Sequence, residues 1–271
     1  MHLHVRHATT YAYDRPMRFV TQSHRLTPVD NAGQRVLDWE VRAEGATFGA
    51  GFTDGAGDRV STMTLHGPVE RIEVVVEGRV ETTDTAGVLR GLREVISPRA
   101  YLRPSAAIKA NGALIALKDE ALRGAGGAGD LDRAHRLSAV VTGAIAYRPG
   151  ATHAHTTAAE ALEKGEGVCQ DHAHALIALA HAAGLPARYV TGYLLAREDG
   201  GPEEASHAWA EIHVAGLGWV GFDAANACCP DARYIRLGSG RDALAAAPIR
   251  GVSGGSGVEA LDVAVVVNAQ Q

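Results

Sequence analysis

Apolar and polar residues alternate with a period of two in three stretches of the first hundred residues: His2-Leu3-His4-Val5-Arg6-His7, Asp38-Trp39-Glu40-Val41-Arg42, and Arg71-Ile72-Glu73-Val74-Val75-Val76-Glu77-Gly78-Arg79-Val80. This is the pattern of strands with one buried face. Turn-forming runs, Asn31-Ala32-Gly33 and Thr53-Asp54-Gly55-Ala56-Gly57-Asp58, lie between them. The pattern predicts a sandwich-like antiparallel β domain over residues 1–95. Beyond it the period lengthens. Ser105 to Leu117 carries helical spacing and Gly124 to Gly129 breaks it, so 96–130 read as a helical connector. From Asp130, the residues Leu131, Ala134, Leu137, Val140, Val141 and Ile145 recur at helical steps, and Arg148-Pro149-Gly150 ends the helix. Another helix starts near Cys169, with Ala173, Leu176, Ile177, Ala180 and Ala183 on one face and Gly184 and Pro186 as its stop. Strands are expected at 187–195, 206–214 and 219–223, with a polar loop from Glu198 to Glu204. After a loop at 250–257, a last strand runs from Leu261 to Val267. The fold class is α+β, with 131–271 as the second domain.

Composition narrows the function classes. A length of 271 residues agrees with two modest domains. Hydrophobic residues at 46% and charged residues at 21% describe an ordinary globular chain. A net charge of −5 without a basic block argues against nucleic acid as a partner. No apolar run reaches the roughly 18–20 residues of a membrane span, and the alternating start is unlike a secretory signal, so the cytoplasm is the expected location. Three cysteines, Cys169, Cys228 and Cys229, do not make a disulfide framework.

One of them sits where chemistry is available. Cys169 follows a Gly165-Glu166-Gly167 loop at a helix start, where unpaired backbone N–H groups and the helix dipole favour a thiolate and could receive an oxyanion. A cysteine on an apolar helix is otherwise a small buried hydrophobe. His207 opens one arm of a predicted hairpin and Asp223 closes the other, so a base and its orienting carboxylate lie at the same end. Simple pairing sets 214 against 219 and places Asp223 opposite Ala210, so a bend or bulge has to bring it to His207.

Four stretches, Gly167-Val168-Cys169-Gln170-Asp171-His172-Ala173-His174, Leu185 to Tyr193, Ser206-His207-Ala208-Trp209-Ala210-Glu211 and Gly218-Trp219-Val220-Gly221-Phe222-Asp223, together resemble the bacterial transglutaminase-like family. Thr10 to Tyr13 and Leu26-Thr27-Pro28 resemble its accessory β domain, and Gly240-Arg241-Asp242 with Pro248 to Gly251 its closing segment. The resemblance implies a papain-like core packed on an antiparallel sheet, with Cys169 as nucleophile, His207 as base and then acid, and Asp223 orienting the imidazole. It also implies attack on peptide or glutamine-type amides in a protein or peptide substrate through an acyl-enzyme, with hydrolysis favoured over transamidation and no cofactor.

Two departures from the family pattern concern substrate preference: His172 stands where a large aromatic is usual, and Ala224-Ala225-Asn226 where Pro-Thr-Asn is common. Gln170, Tyr147, His172 and Trp209 are candidates for lining the site or serving the oxyanion. Trp209 and Trp219 have core packing as the competing reading. His153-Ala154-His155 and His172-Ala173-His174 suggest zinc, but the first pair sits in a Pro-Gly-flanked loop and the second, two apart on a helix, points about 200° apart, so no metal is assigned. A zinc hydrolase and a binding module without turnover stand as the alternatives. The adjacent Cys228 and Cys229 read as loop filling near the core.

Overall fold

The computed structural model describes residues 1–195 and 206–270. The predicted polar loop at 198–204 lies outside these residues. Five strands come first: β1 (His2–His24), β2 (Gln34–Ala43), β3 (Thr47–Phe48), β4 (Phe52–Thr53) and β5 (Arg59–Thr82). Two short 3-10 turns, Pro98–Leu102 and Ala106–Ile108, lead to α1 (Gly112–Ala121) and α2 (Asp130–Ala144). Then follow β6 (Ala146–Tyr147), α3 (Ala158–Lys164), β7 (Glu166–Gly167), α4 (Cys169–Ala182), β8 (Ala187–Leu194), β9 (Ser206–Val214), β10 (Gly218–Phe222), β11 (Tyr234–Gly240), β12 (Ile249–Gly254) and β13 (Glu259–Gln270).

β1 and β5 are far longer than their alternating cores suggested. In β1 the buried positions are odd-numbered from Leu3 to Tyr13 and even-numbered from Val20 to His24. The register with β5 shifts twice between Ala12 and Phe19, and the extra residues absorb the change of phase. Tyr11 and Tyr13 from one side of the break share a core with Val20, Leu26, Met63 and Leu65 from the other. The N-terminal part is thus one seven-stranded antiparallel sheet among the described residues, whose long strands break midway so that residues of both halves enclose one core, the sandwich-like arrangement expected. β12 and β13, grouped by sequence continuity with the second domain, hydrogen-bond to β1 and complete that sheet.

The second part is a four-stranded antiparallel sheet, ordered β10-β9-β8-β11, with α4 packed on it. Leu176, Ile177 and Leu179 of α4 are fully buried, and each contributes about 1.5–3 kcal/mol by leaving water. Alanines on the remaining positions, such as Ala173, Ala175, Ala178 and Ala180, let helices and sheet approach from every side. The helix expected from Ser105 begins later, because the Asn111 side chain caps α1 by accepting from the Leu114 N–H at 3.0 Å. α3 is announced by Thr157-Ala158-Ala159-Glu160, a reciprocal capping box.

Buried charges join the two parts. Arg236 contacts Asp58 at 2.6 Å and Glu211 at 2.9 Å, and Arg188 contacts Glu211 at 2.6 Å. Arg188 also lies 4.1 Å from the Trp219 ring centroid, and Trp219 donates to Glu94 at 2.8 Å. Trp219 therefore belongs to this joint between the two parts.

Candidate active site

α4 begins at Cys169 because the preceding loop is held from both sides. Gly165 has φ +66°, a conformation that suits glycine. A side chain at Gly167 would meet the Asp171 carboxylate at 2.7 Å, so this position too has to stay bare. The Asp171 carboxylate accepts from the Val168 N–H at 2.8 Å and from the Thr152 hydroxyl, fixing the first turn. The N–H groups of Asp171 and His172 turn back to the Val168 carbonyl. Those of Cys169 and Gln170 have no partner among the described residues. Two donors therefore stand at the start of α4 with Cys169, a residue that is 8% exposed.

His207 and Asp223 come together through a register one residue away from the expected one. Gly218 pairs with Val214 and Phe222 with Ala210, because the turn uses three residues and Gly216 adopts φ +79°. Continued one step, this register sets Asp223 across from Trp209, on the same strand face as His207. The expected register would have put it on the other face. β10 ends at Phe222, and Asp223 pairs instead with Cys228 across a tight loop. His207 Nε2 lies 2.6 Å from Asp223 Oδ2, and the ring lines the same groove as Cys169, whose charge acts on it.

Asp223 is surrounded by donors. Oδ2 also accepts from Asn226 Nδ2 at 2.7 Å and the Tyr234 hydroxyl at 2.8 Å, and Oδ1 accepts from the N–H groups of Ala225 and Asn226. Burial acts to raise its pKa, but the bonds from His207, Asn226 and Tyr234 hold it below the usual carboxylate range. For His207, burial acts to lower the pKa, but Asp223 and Cys169 prevail and push it up to about 10. The imidazole is held charged beside the sulfur. Burial and then the neighbouring Cys169 charge keep Tyr189, which is fully enclosed near the same sulfur, a neutral phenol.

Cys169 and His207 open on a groove of about 660 Å3 lined also by Gln170, Tyr189, Leu244 and Val263. One wall of it, the segment at 242–248, is pinned by His174, whose Nε2 accepts from the Ala243 N–H at 3.0 Å. That role requires a neutral ring, and burial pulls the His174 pKa down to about 4.

Comparison with known proteins identifies the family and the fold. Residues 117–224 match the model of the transglutaminase-like superfamily, and residues 3–81 that of the bacterial transglutaminase-like N-terminal region. An uncharacterised protein of Mycobacterium leprae is 30% identical over 283 aligned positions, covering 98% of both chains. The chain belongs to the bacterial transglutaminase-like family. Another uncharacterised relative, from Mycobacterium tuberculosis, is 40% identical over 115 residues, 39% of this chain and 37% of its own. Among solved structures, a Cytophaga hutchinsonii protein provisionally described as a cysteine protease superposes with a TM-score of 0.73 at 21% identity, over 100% of this chain and 92% of its own. The likeness establishes the shared fold, an N-terminal antiparallel sheet followed by a transglutaminase-like core.

Within the family frame, the remaining candidates separate. Gln170 lines the groove, and its amide donates to the Ala154 carbonyl at 3.2 Å. His172 is turned away and buried, its ring nitrogens each 2.9 Å from a carbonyl, those of Val168 and Ile145. Tyr147 lies behind it, with ring centroids 6.2 Å apart, outside the groove lining. Trp209 is 4% exposed and packs on His207 and Tyr234. It supports the imidazole from behind and does not wall the groove. His172 and His174 serve different backbone groups, which agrees with the angular argument against a shared metal. Cys228 Sγ lies 3.3 Å from the Tyr234 hydroxyl, so it packs behind Asp223. Tyr234 was missed from sequence, because every position of β11 from Tyr234 to Ser239 is buried and no alternation marks the strand.

Proposed function

We propose that the chain is a cysteine-dependent enzyme that breaks amide bonds of peptides through an acyl-enzyme on Cys169, with water as the favoured second substrate. The observation that carries this reading is the 2.6 Å bond between His207 and Asp223, with the imidazole lining the same groove as Cys169 at the start of α4. In the first half-reaction the sulfur attacks the amide carbonyl, and the oxyanion receives the N–H groups of Cys169 and Gln170. His207 then passes its proton to the departing amine, leaving a thioester. In the second half-reaction His207 takes a proton from water, hydroxide adds to the thioester, and the acid departs as the sulfur regains its resting form.

Hydrolysis is favoured over amine transfer by the composition of the groove, whose lining among the described residues contains no Asp or Glu to hold a lysine ammonium. The three cysteines are free thiols, and we assign the chain to the reducing cytoplasm, a placement that cell fractionation tests. No helix of the described residues is long and apolar enough to cross a membrane.

Incubating the enzyme with glutamine-containing peptides, with and without a primary amine, and reading product masses tests the function. Cleavage or a gain of about one mass unit supports hydrolysis, whereas amine addition as the main product overturns that preference. Absence of any product together with no thioester on Cys169 overturns the enzymatic reading.

A further inference from the structure

β13 has an unusual surface. It pairs with β1 along one edge, from His2 opposite Gln270 to Tyr13 opposite Glu259, and no strand pairs with its other edge among the described residues. Facing residues in this ladder share a sheet face. Leu261, Val263, Val265 and Val267 stand opposite Tyr11, Thr9, His7 and Val5, all of which are buried. Along that same face the strand emerges from the core step by step. Val267 is 8% exposed, Val265 half-buried, Val263 49% exposed and Leu261 58% exposed. Two branched apolar side chains, with Val265 half-buried beside them, are thus presented to solvent on the face that the sheet elsewhere buries. Such a patch beside a cleft calls for an occupant.

The groove identifies the occupant. Val263 and Val265 line the same space as Cys169 and His207, so whatever lies against them is continuous with the molecule that Cys169 attacks. Leu244, 70% exposed, stands in the lining with them. The lining holds no Asp, Glu, Lys or Arg among the described residues. An unpaired edge supplies backbone donors and acceptors to an extended chain, and alternate side chains of that chain fall on one face. We propose that the free edge of β13 takes the peptide substrate as an added strand, seating an apolar side chain next to the attacked amide against Val263, Val265 and Leu244. The N-terminal sheet then selects substrate through its C-terminal strand, and extended segments with apolar residues are preferred to charged ones.

This inference rests on the acyl-enzyme reading, and the experiment separates the two. A peptide series with a fixed reactive amide, carrying Leu or Asp at neighbouring positions, is turned over by the wild type, by Val263→Asp and by Val266→Asp, with the Cys169 thioester read by intact mass in every arm. Val266 is 51% exposed and stands opposite Arg6 on the other face of the strand, so it serves as the control. The wild type is expected to prefer Leu over Asp at least about tenfold in kcat/KM, mainly through KM. Val263→Asp removes that preference and Val266→Asp retains it. Single backbone N-methylations of the peptide raise KM with a period of two, as strand pairing requires. Equal preference in wild type and Val263→Asp, with the thioester still formed, overturns the inference and leaves the proposed function standing. A flat N-methyl scan likewise overturns strand addition. A dimer in sedimentation that dissociates in Val263→Asp assigns the edge to a second copy and overturns it as well. No thioester with any peptide overturns both proposals.

Discussion

Replacing Asp223 with Asn isolates what keeps His207 charged. His207 is 5% exposed, and its pKa stands at about 10 against an ordinary 6.5 because Asp223 and Cys169 outweigh burial. At about 1.4 kcal/mol per pH unit, that rise corresponds to about 5 kcal/mol in favour of the imidazolium. Asp223→Asn keeps the shape, removes the charge and turns an amide N–H2 towards a site where His207, Asn226, Tyr234 and two backbone N–H groups all donate. At least one donor is then left unpaired, and burial pulls the His207 pKa down against Cys169 alone.

The sign of the pH effect follows from linkage. The folded-state pKa lies above the unfolded value, so the native state holds the proton more tightly. The stabilisation is complete below the ordinary value of 6.5 and is lost as pH rises through about 10. Urea unfolding between about pH 6 and pH 10.5 is therefore expected to show a loss of up to about 5 kcal/mol in the wild type from this group, and a much smaller loss in Asp223→Asn. Imidazole NMR in the same samples follows the titration itself, and turnover falls by about four orders of magnitude. Identical pH slopes for both proteins, or a wild-type His207 that titrates near neutrality, would refute the reasoning.

Tyr234→Phe removes one of the three side-chain donors to Asp223 Oδ2 and is expected to destabilise by about 2 kcal/mol, read by urea unfolding, with a smaller fall in kcat than Asp223→Asn. Gly192→Ala places a Cβ 2.1 Å from the Ile235 carbonyl and 2.6 Å from the Trp209 ring, so β8 and β11 have to separate, at about 3 kcal/mol in chemical denaturation. Arg236→Met leaves Asp58 and Glu211 without one of their buried partners and is expected to lower stability by about 3–5 kcal/mol, with a less cooperative transition if the two parts then unfold separately.

Much of the site was legible because its signals are local. A glycine-flanked cysteine before an alanine- and leucine-rich run, and a histidine and an aspartate at matching ends of a hairpin, each follow from short stretches of chain. The register could not be read in the same way. Three turn residues and four differ by one position, and the positive φ of Gly216 and Gly218 in the folded turn decides between them. Tyr234 stayed hidden because a strand buried on both faces loses the period-two signature. The long β1 was underestimated for a related reason, since two register shifts reverse its buried positions midway. β12 read as a loop from Gly251, Ser253 and Gly254, yet Gln22 packs where a side chain at Gly251 would stand, so the glycine marks close approach. The accessory candidates His172 and Trp209 lie within three residues of the nucleophile or base in sequence, but backbone carbonyls and ring packing direct them away from the groove, and Tyr147 lies beside His172 outside the lining.

The central claim is that Cys169 forms a covalent acyl-enzyme under the control of His207. Its most direct test is intact-mass analysis of wild type and Cys169→Ala after rapid mixing of each with a peptide substrate and acid quench. The account predicts one acyl adduct, located on Cys169 by peptide mapping, with no adduct and no turnover in Cys169→Ala. An adduct on Cys228 or Cys229, or turnover that persists in Cys169→Ala, would contradict it.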